Sequence, residues 1–181
     1  MQDLSLHLLD IAENSVRGGA TLVKLEVIEY LAQNQLILKV EDNGQGMDEQ
    51  MLQHVSNPFF TTRTTRRVGL GIPLLKQNCE LSGGHLRIKS EKGKGTLLVA
   101  VMQYNHVDRP PLGDMPATII TLISAYPKID WIYKYTKGED SIEVDTRALK
   151  YVLKDVPINH PEILKWVKAS IENLHNIVVR S

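Results

Sequence analysis

The chain has 181 residues, 43% of them hydrophobic, with 21 acidic and 21 basic side chains and a single cysteine. That length supports one sizeable core, or one core with a small appendage, and the zero net charge gives no global pull toward nucleic acid or an anionic membrane. A lone thiol, Cys79, excludes an internal disulfide and a multi-cysteine zinc or iron–sulfur site, and it fits a reducing, cytoplasmic setting.

The first stretch, MQDLSLHLLDIAENS, is interrupted by Asp3, Asp10 and Glu13 and lacks a basic leader with a long apolar run, so no signal peptide is expected. Leu4, Leu8, Ile11 and Ser15 recur at helical spacing with Leu9, Ala12 and Val16 beside them, which predicts a helix over 4–17 ended by Gly18-Gly19. Residues 21–30 and 35–42 are rich in β-formers and read as adjacent strands. Asp48 caps a short helix reaching about Val55, and the polar segment SNPFFTTRTTRRVG that follows reads as irregular. A second long helix is predicted from Leu70 to about Ser82, then a hairpin of HLRIKS (85–90) and TLLVAVM (96–102) around a GKG turn.

This order, α-β-β-α-loop-α-β-β, predicts a two-layer α/β sandwich, a mixed sheet with helices on one face, over residues 1–103. Three prolines and a glycine mark 104–116 as a linker. Residues 117–181 read as a small accessory α/β domain: a helix near 117–126, a strand with Ile129, Trp131, Tyr133 and Tyr135 on one face, a strand at 141–145 and two helices. The last helix opens at Pro161 behind Asn159 or His160 and carries the stripe Ile163, Val167, Ile171 and Leu174. No segment reaches the roughly 18 apolar residues of a membrane span. The aromatic strand is assigned to the core ahead of a partner surface.

Three features carry chemistry. On the first helix Asp10, Asn14 and Arg17 lie near one face, either as a solvent-facing Asp–Arg pair or as hard oxygen donors beside a phosphate-seeking cation. VEDNGQGM (40–47) sets Asp42 at a strand end before Gly44 and Gly46. It is either a tight turn or an acceptor for an exocyclic amine with backbone close to a purine. RRVGLGIPLL (66–75) places Gly69, Leu70 and Gly71 at a helix start behind Arg63, Arg66 and Arg67, a setting that favours phosphate. Phe59 and Phe60 read as loop anchors.

Taken in order, these motifs resemble the GHKL superfamily of ATP-binding domains, shared by gyrase B, Hsp90, the MutL proteins and histidine kinases. LLDIAENSVRGGAT (8–21) is similar to the N-box, VEDNGQGM to the first glycine box, NPFFTT and VGLGIPLLKQNCELSGG to the lid and second glycine box, and GKGT (93–96) to the final glycine–threonine turn. The resemblance covers about residues 4–102 and implies a Bergerat-type fold binding ATP and Mg²⁺. By position it implies Asn14 as metal ligand, Asp42 as adenine acceptor, Gly44 and Gly46 as adenine wall, and Thr96 as holder of a bridging water. It also implies Gly69, Leu70 and Gly71 as backbone phosphate contacts and Arg17 as a phosphate-contacting cation.

Asp10 departs from the family, standing where gyrase and MutL carry a catalytic Glu and histidine kinases an Asn. Its carboxylate is one methylene shorter than glutamate, yet it ranks above Glu13 as any base. None of His7, His54, His85, His106, His160 or His175 stands in the context of a kinase phosphoacceptor, so an autophosphorylating sensor kinase is not expected. Two functions remain open: an ATPase or trans-acting protein kinase, and an ATP-controlled interaction switch in which residues 55–69 remodel a partner surface. A protein partner or substrate is expected, with no nucleic acid and no membrane; a homodimer stays open.

Overall fold

The computed structural model describes residues 3–55 and 71–180. Helix α1 (Leu4–Arg17) begins where the Asp3 carboxylate accepts the backbone N–H of Leu6, satisfying one of the donors that every helix start leaves free. Strands β1 (Leu22–Tyr30) and β2 (Gln35–Asp42) pair antiparallel, joined by a short 3₁₀ turn at Leu31–Gln33. Helices α2 (Glu49–His54) and α3 (Gly71–Leu81) precede the hairpin β3 (His85–Glu91) and β4 (Gly95–Gln103), with β4 antiparallel to β2.

Alternation explains the layers. Val23, Leu25 and Val27 of β1, Leu36, Leu38 and Val40 of β2, and Leu98, Ala100 and Met102 of β4 all point to one buried face. Leu4, Leu8 and Ile11 of α1 and Leu75 and Cys79 of α3 close over that face. Each fully buried aliphatic side chain contributes about 1.5–3 kcal/mol, so this interface dominates the stability of the unit. The Cys79 thiol is part of this core, and burial pushes its pKa up to about 12. On the opposite face the neighbouring strands are laced by the ion pairs Lys24–Glu41 (3.2 Å) and Lys39–Glu26 (3.0 Å).

The C-terminal region extends the same sheet. After α4 (Met115–Ala125), β5 (Asp130–Lys137) pairs parallel with β1 from Leu22↔Asp130 to Glu29↔Lys137, and β6 (Asp140–Asp145) pairs with β5. The result is one mixed six-stranded sheet, ordered β3-β4-β2-β1-β5-β6. Helices α5 (Thr146–Leu153) and α6 (Pro161–Arg180) complete the chain; Asp145 caps the first, and His160 Nδ1 accepts the Glu162 N–H at the start of the second.

Trp131, Tyr133 and Tyr135 are each no more than 2% exposed, so the aromatic stripe is core. Their polar tips find partners: the Tyr135 hydroxyl donates to buried Glu29 (2.8 Å), and Tyr133 meets Nε2 of His175 (2.7 Å), whose ring stacks on Tyr135. The proline-rich stretch is also tied down, since the carbonyls of Pro111 and Leu112 accept the N–H groups of Leu4 and Ser5. Prolines lack a donor but keep their acceptor, so a segment unfit for a ladder can still cap a helix.

Candidate functional site

At the end of the sheet, the pairing of β2 with β4 and of β4 with β3 sets Asp42, Thr96 and Ser90 in one row. Asp42 accepts the Ser15 hydroxyl at Oδ2 (2.7 Å) and the Gly44 N–H at Oδ1 (2.9 Å). An ionised carboxylate offers about four acceptor positions, so two donors leave room for an amine and a water. Ser90 Oγ lies 2.9 Å from Thr96 Oγ1 and accepts the Met47 N–H at 2.8 Å.

The glycine turn is held from two sides. Gln45 donates its N–H to the Gly18 carbonyl (2.8 Å), and its own carbonyl accepts the Gly93 N–H (2.7 Å). Asn43 Oδ1 accepts the N–H groups of both Thr21 and Leu22, joining the turn to the end of the N-box. A Cβ at Gly44 would press on the Gly18 carbonyl, so backbone must pass backbone closely here.

On α1, Asn14 Oδ1 accepts from Arg17 Nη1 (2.9 Å), while Arg17 Nη2 pairs with Glu13 Oε2 (3.0 Å). Glu13 Oε1 in turn accepts the Tyr126 hydroxyl (3.3 Å). The Asp10–Arg17 pair of the solvent-face reading does not form: Arg17 pairs instead with Glu13, four residues away, and lies against the Asn14 oxygen.

Asp10 sits where α3 begins. Its Oδ2 is buried without a hydrogen-bond partner, and a Cβ at residue 71 would overlap that atom, so a side chain there would have to displace the Asp10 carboxyl. Burial pushes the Asp10 pKa up, Glu13 adds to the rise and Arg17 opposes it. One turn earlier His7 is fully buried, with Nε2 2.8 Å from the Asn78 amide nitrogen. Burial lowers its pKa, so the neutral ring accepts from Asn78.

A raised carboxyl pKa means that the folded state holds the proton more tightly than the unfolded chain. Stability is then lost as pH rises from the ordinary aspartate range through the raised value. Asp10→Asn is accordingly expected to raise the melting temperature at neutral pH, with the gain vanishing below the usual carboxylate range. Thermal melts across pH check this, and a gain that grows on acidification would overturn it.

Gly69, Leu70, Phe59, Phe60 and the three lid arginines lie outside the described residues. Asp42, Gly44, Gly46 and Thr96 converge on one strand end; Asn14 and Arg17 share one helix face; Asp10 meets Gly71. Ser15, Ser90, Asn43 and Tyr126 join the site without having been singled out. Of these only Ser15 carried a signal, as the polar member of an apolar stripe one residue after Asn14. Among the described residues no three His, Cys, Asp or Glu side chains gather as a metal cage. Asn14 Oδ1 and the orphaned Asp10 Oδ2 are hard oxygens that suit Mg²⁺, which takes few protein ligands and completes its shell from phosphate and water.

Among the described residues no helix is long and apolar enough to cross a membrane. The family model described as "Histidine kinase-, DNA gyrase B-, and HSP90-like ATPase" matches residues 2–105. The chain is 35% identical to "Sensor protein kinase FleS" of Pseudomonas aeruginosa over 52% of its own length and 23% of that protein. It is 30% identical to "Sensor histidine kinase YvrG" of Bacillus subtilis over 50% of its length and 16% of that protein. It thus spans less than a quarter of either relative. Among solved structures, the MutL ATPase domain of Aquifex aeolicus complexed with ADP aligns with a TM-score of 0.50 at 13% identity, covering 85% of this chain and 70% of that one, a likeness of fold alone. With more than half of its residues matched, the chain belongs to the histidine kinase-, gyrase B- and HSP90-like ATPase family.

Proposed function

We propose that this chain binds Mg·ATP and either hydrolyses it or passes its γ-phosphate to a partner protein. The observation that supports this most is the Asp42 carboxylate, held by Ser15 and Gly44 at a strand end in register with Thr96. In this reading Asp42 accepts the adenine amine, Thr96 helps hold a bridging water, and Gly44 and Gly46 let backbone approach the ring. Arg17 and the N–H groups of Gly69, Leu70 and Gly71 take the phosphates, and Asn14 is the metal ligand. Bound Mg²⁺ would neutralise phosphate charge.

Asp10 is the proposed base. A carboxylate with one oxygen buried and unpartnered and with a raised pKa is suited to orient or accept a proton from a water or a protein hydroxyl. The names of the sensor-kinase relatives favour a protein as partner or substrate. We assign the nucleotide unit to residues 1–103 and an accessory role to 117–181, joined by 104–116, and place the protein in the cytoplasm.

The test is incubation with γ-labelled ATP and Mg²⁺, alone and with lysate, beside an Asn14→Ala control. Label released as phosphate or carried onto protein, and lost in the control, is the expected result. Activity no greater than the control, with ATP affinity retained, would replace the enzyme with a nucleotide-controlled interaction protein.

A further inference from the structure

We infer that Tyr126, contributed by the C-terminal region, is a positioning residue for the metal ligand Asn14, acting through Glu13 and Arg17; the inference rests on the Mg·ATP reading above. Tyr126 ends α4 and is anchored independently of the site. Its backbone N–H bonds the Leu122 carbonyl, its own carbonyl accepts the indole N–H of Trp131 (3.3 Å), and the two rings lie 6.5 Å apart. Trp131 is 2% exposed, so this end of the tyrosine is fixed to the core.

From that anchor the hydroxyl reaches Glu13 Oε1, Glu13 Oε2 holds Arg17 Nη2, and Arg17 Nη1 covers Asn14 Oδ1. A guanidinium and a divalent cation repel each other and cannot share one amide oxygen at bonding distance. Metal loading at Asn14 therefore requires Arg17 to swing away. The Arg17 side chain is 58% exposed, and an ion pair in such a setting is weak enough to open. How easily it opens depends on Glu13, and Tyr126 occupies one of the two Glu13 oxygens. Without the hydroxyl, both oxygens turn to the guanidinium in a bidentate pair, which is the stronger arrangement.

The two obvious substitutions should then act in opposite directions. In Tyr126→Phe, Arg17 is held harder and the Mg²⁺ concentration for half-maximal ATP binding rises; in Glu13→Gln, Arg17 is released and that concentration falls. Each shift is expected to be about two- to fivefold, the range set by one exposed ion pair. The experiment titrates Mg²⁺ against labelled ATP bound to the full chain, with a thermal melt of every variant. In an Arg17→Ala background the Tyr126→Phe shift should vanish, as coupling through Arg17 demands.

Damage to the fold alone would move both variants the same way and lower their melting temperatures. Shifts in one direction, no shift, or a Tyr126→Phe effect that survives Arg17→Ala would overturn the inference while leaving the ATP reading intact. A wild-type chain that binds no ATP at any Mg²⁺ concentration would remove both.

Discussion

Asp42→Asn is expected to weaken ATP binding by about ten- to a hundredfold while leaving the fold intact. Asp42 already satisfies two internal donors, the Ser15 hydroxyl and the Gly44 N–H, so an incoming adenine amine would be a third donor to an acceptor-only group. Asparagine replaces one oxygen with an NH₂ group and loses the negative charge, so its one oxygen must serve both the Gly44 N–H and the adenine amine. Ser15 can adapt, because its hydroxyl rotates and can also donate to the Ile11 carbonyl at 3.3 Å. The fold is therefore spared and the loss falls on the ligand. Hydrogen bonds to a charged group contribute about 1.5–3 kcal/mol, which sets the stated range. Calorimetric titration with ATP checks it, and unchanged affinity in a folded variant would sink the adenine contact.

The second large effect concerns stability. Gly46 has φ +64° and a Cβ there would overlap the Glu91 carbonyl, so Gly46→Ala meets both backbone strain and collision with main chain. Gly93 shares the left-handed conformation, at φ +83°, but a Cβ there would have nothing within 4 Å. Left-handed backbone costs a non-glycine residue about 1–2 kcal/mol and a forced clash about 1–3 kcal/mol more. Gly46→Ala should lose about 2–5 kcal/mol, or roughly 5–15 °C of melting temperature in a chain of this size, and Gly93→Ala only about 1–2 kcal/mol. Equal losses in the two variants would mean that the turn relaxes freely and that Gly46 is not pinned against β3.

Both residues were legible from the sequence because each answers a local constraint. A carboxylate ending a run of β-formers, followed by glycines at two-residue spacing, has few structural uses, and Asp42 and Gly46 stand where that pattern puts them. The helix carrying Asp10, Asn14 and Arg17 was equally plain, since its apolar stripe has a simple period and a glycine pair ends it. Ser90 was out of reach for a different reason. Its contact with Thr96 depends on the register of the β3–β4 hairpin, which the turn between them does not specify without its geometry. Tyr126 was further still, 113 residues from the Glu13 it touches, brought there only by the packing of α4 on α1. The C-terminal strands read correctly as strands, with the aromatic face inward, but no local pattern states that β5 will choose β1 as its neighbour.

That choice of neighbour bears on how the chain could be divided. The family match stops at residue 105, yet β1 has β5 along its whole outer side. Cutting the chain at the match would strip eight residues of β1 of their bonded neighbour and uncover the side of the core sealed by Trp131, Tyr133 and Tyr135. The fragment would present a long open strand edge, the template on which proteins aggregate or exchange strands. Recombination or engineering that treats the nucleotide unit as a detachable cassette must therefore bring a replacement strand with it.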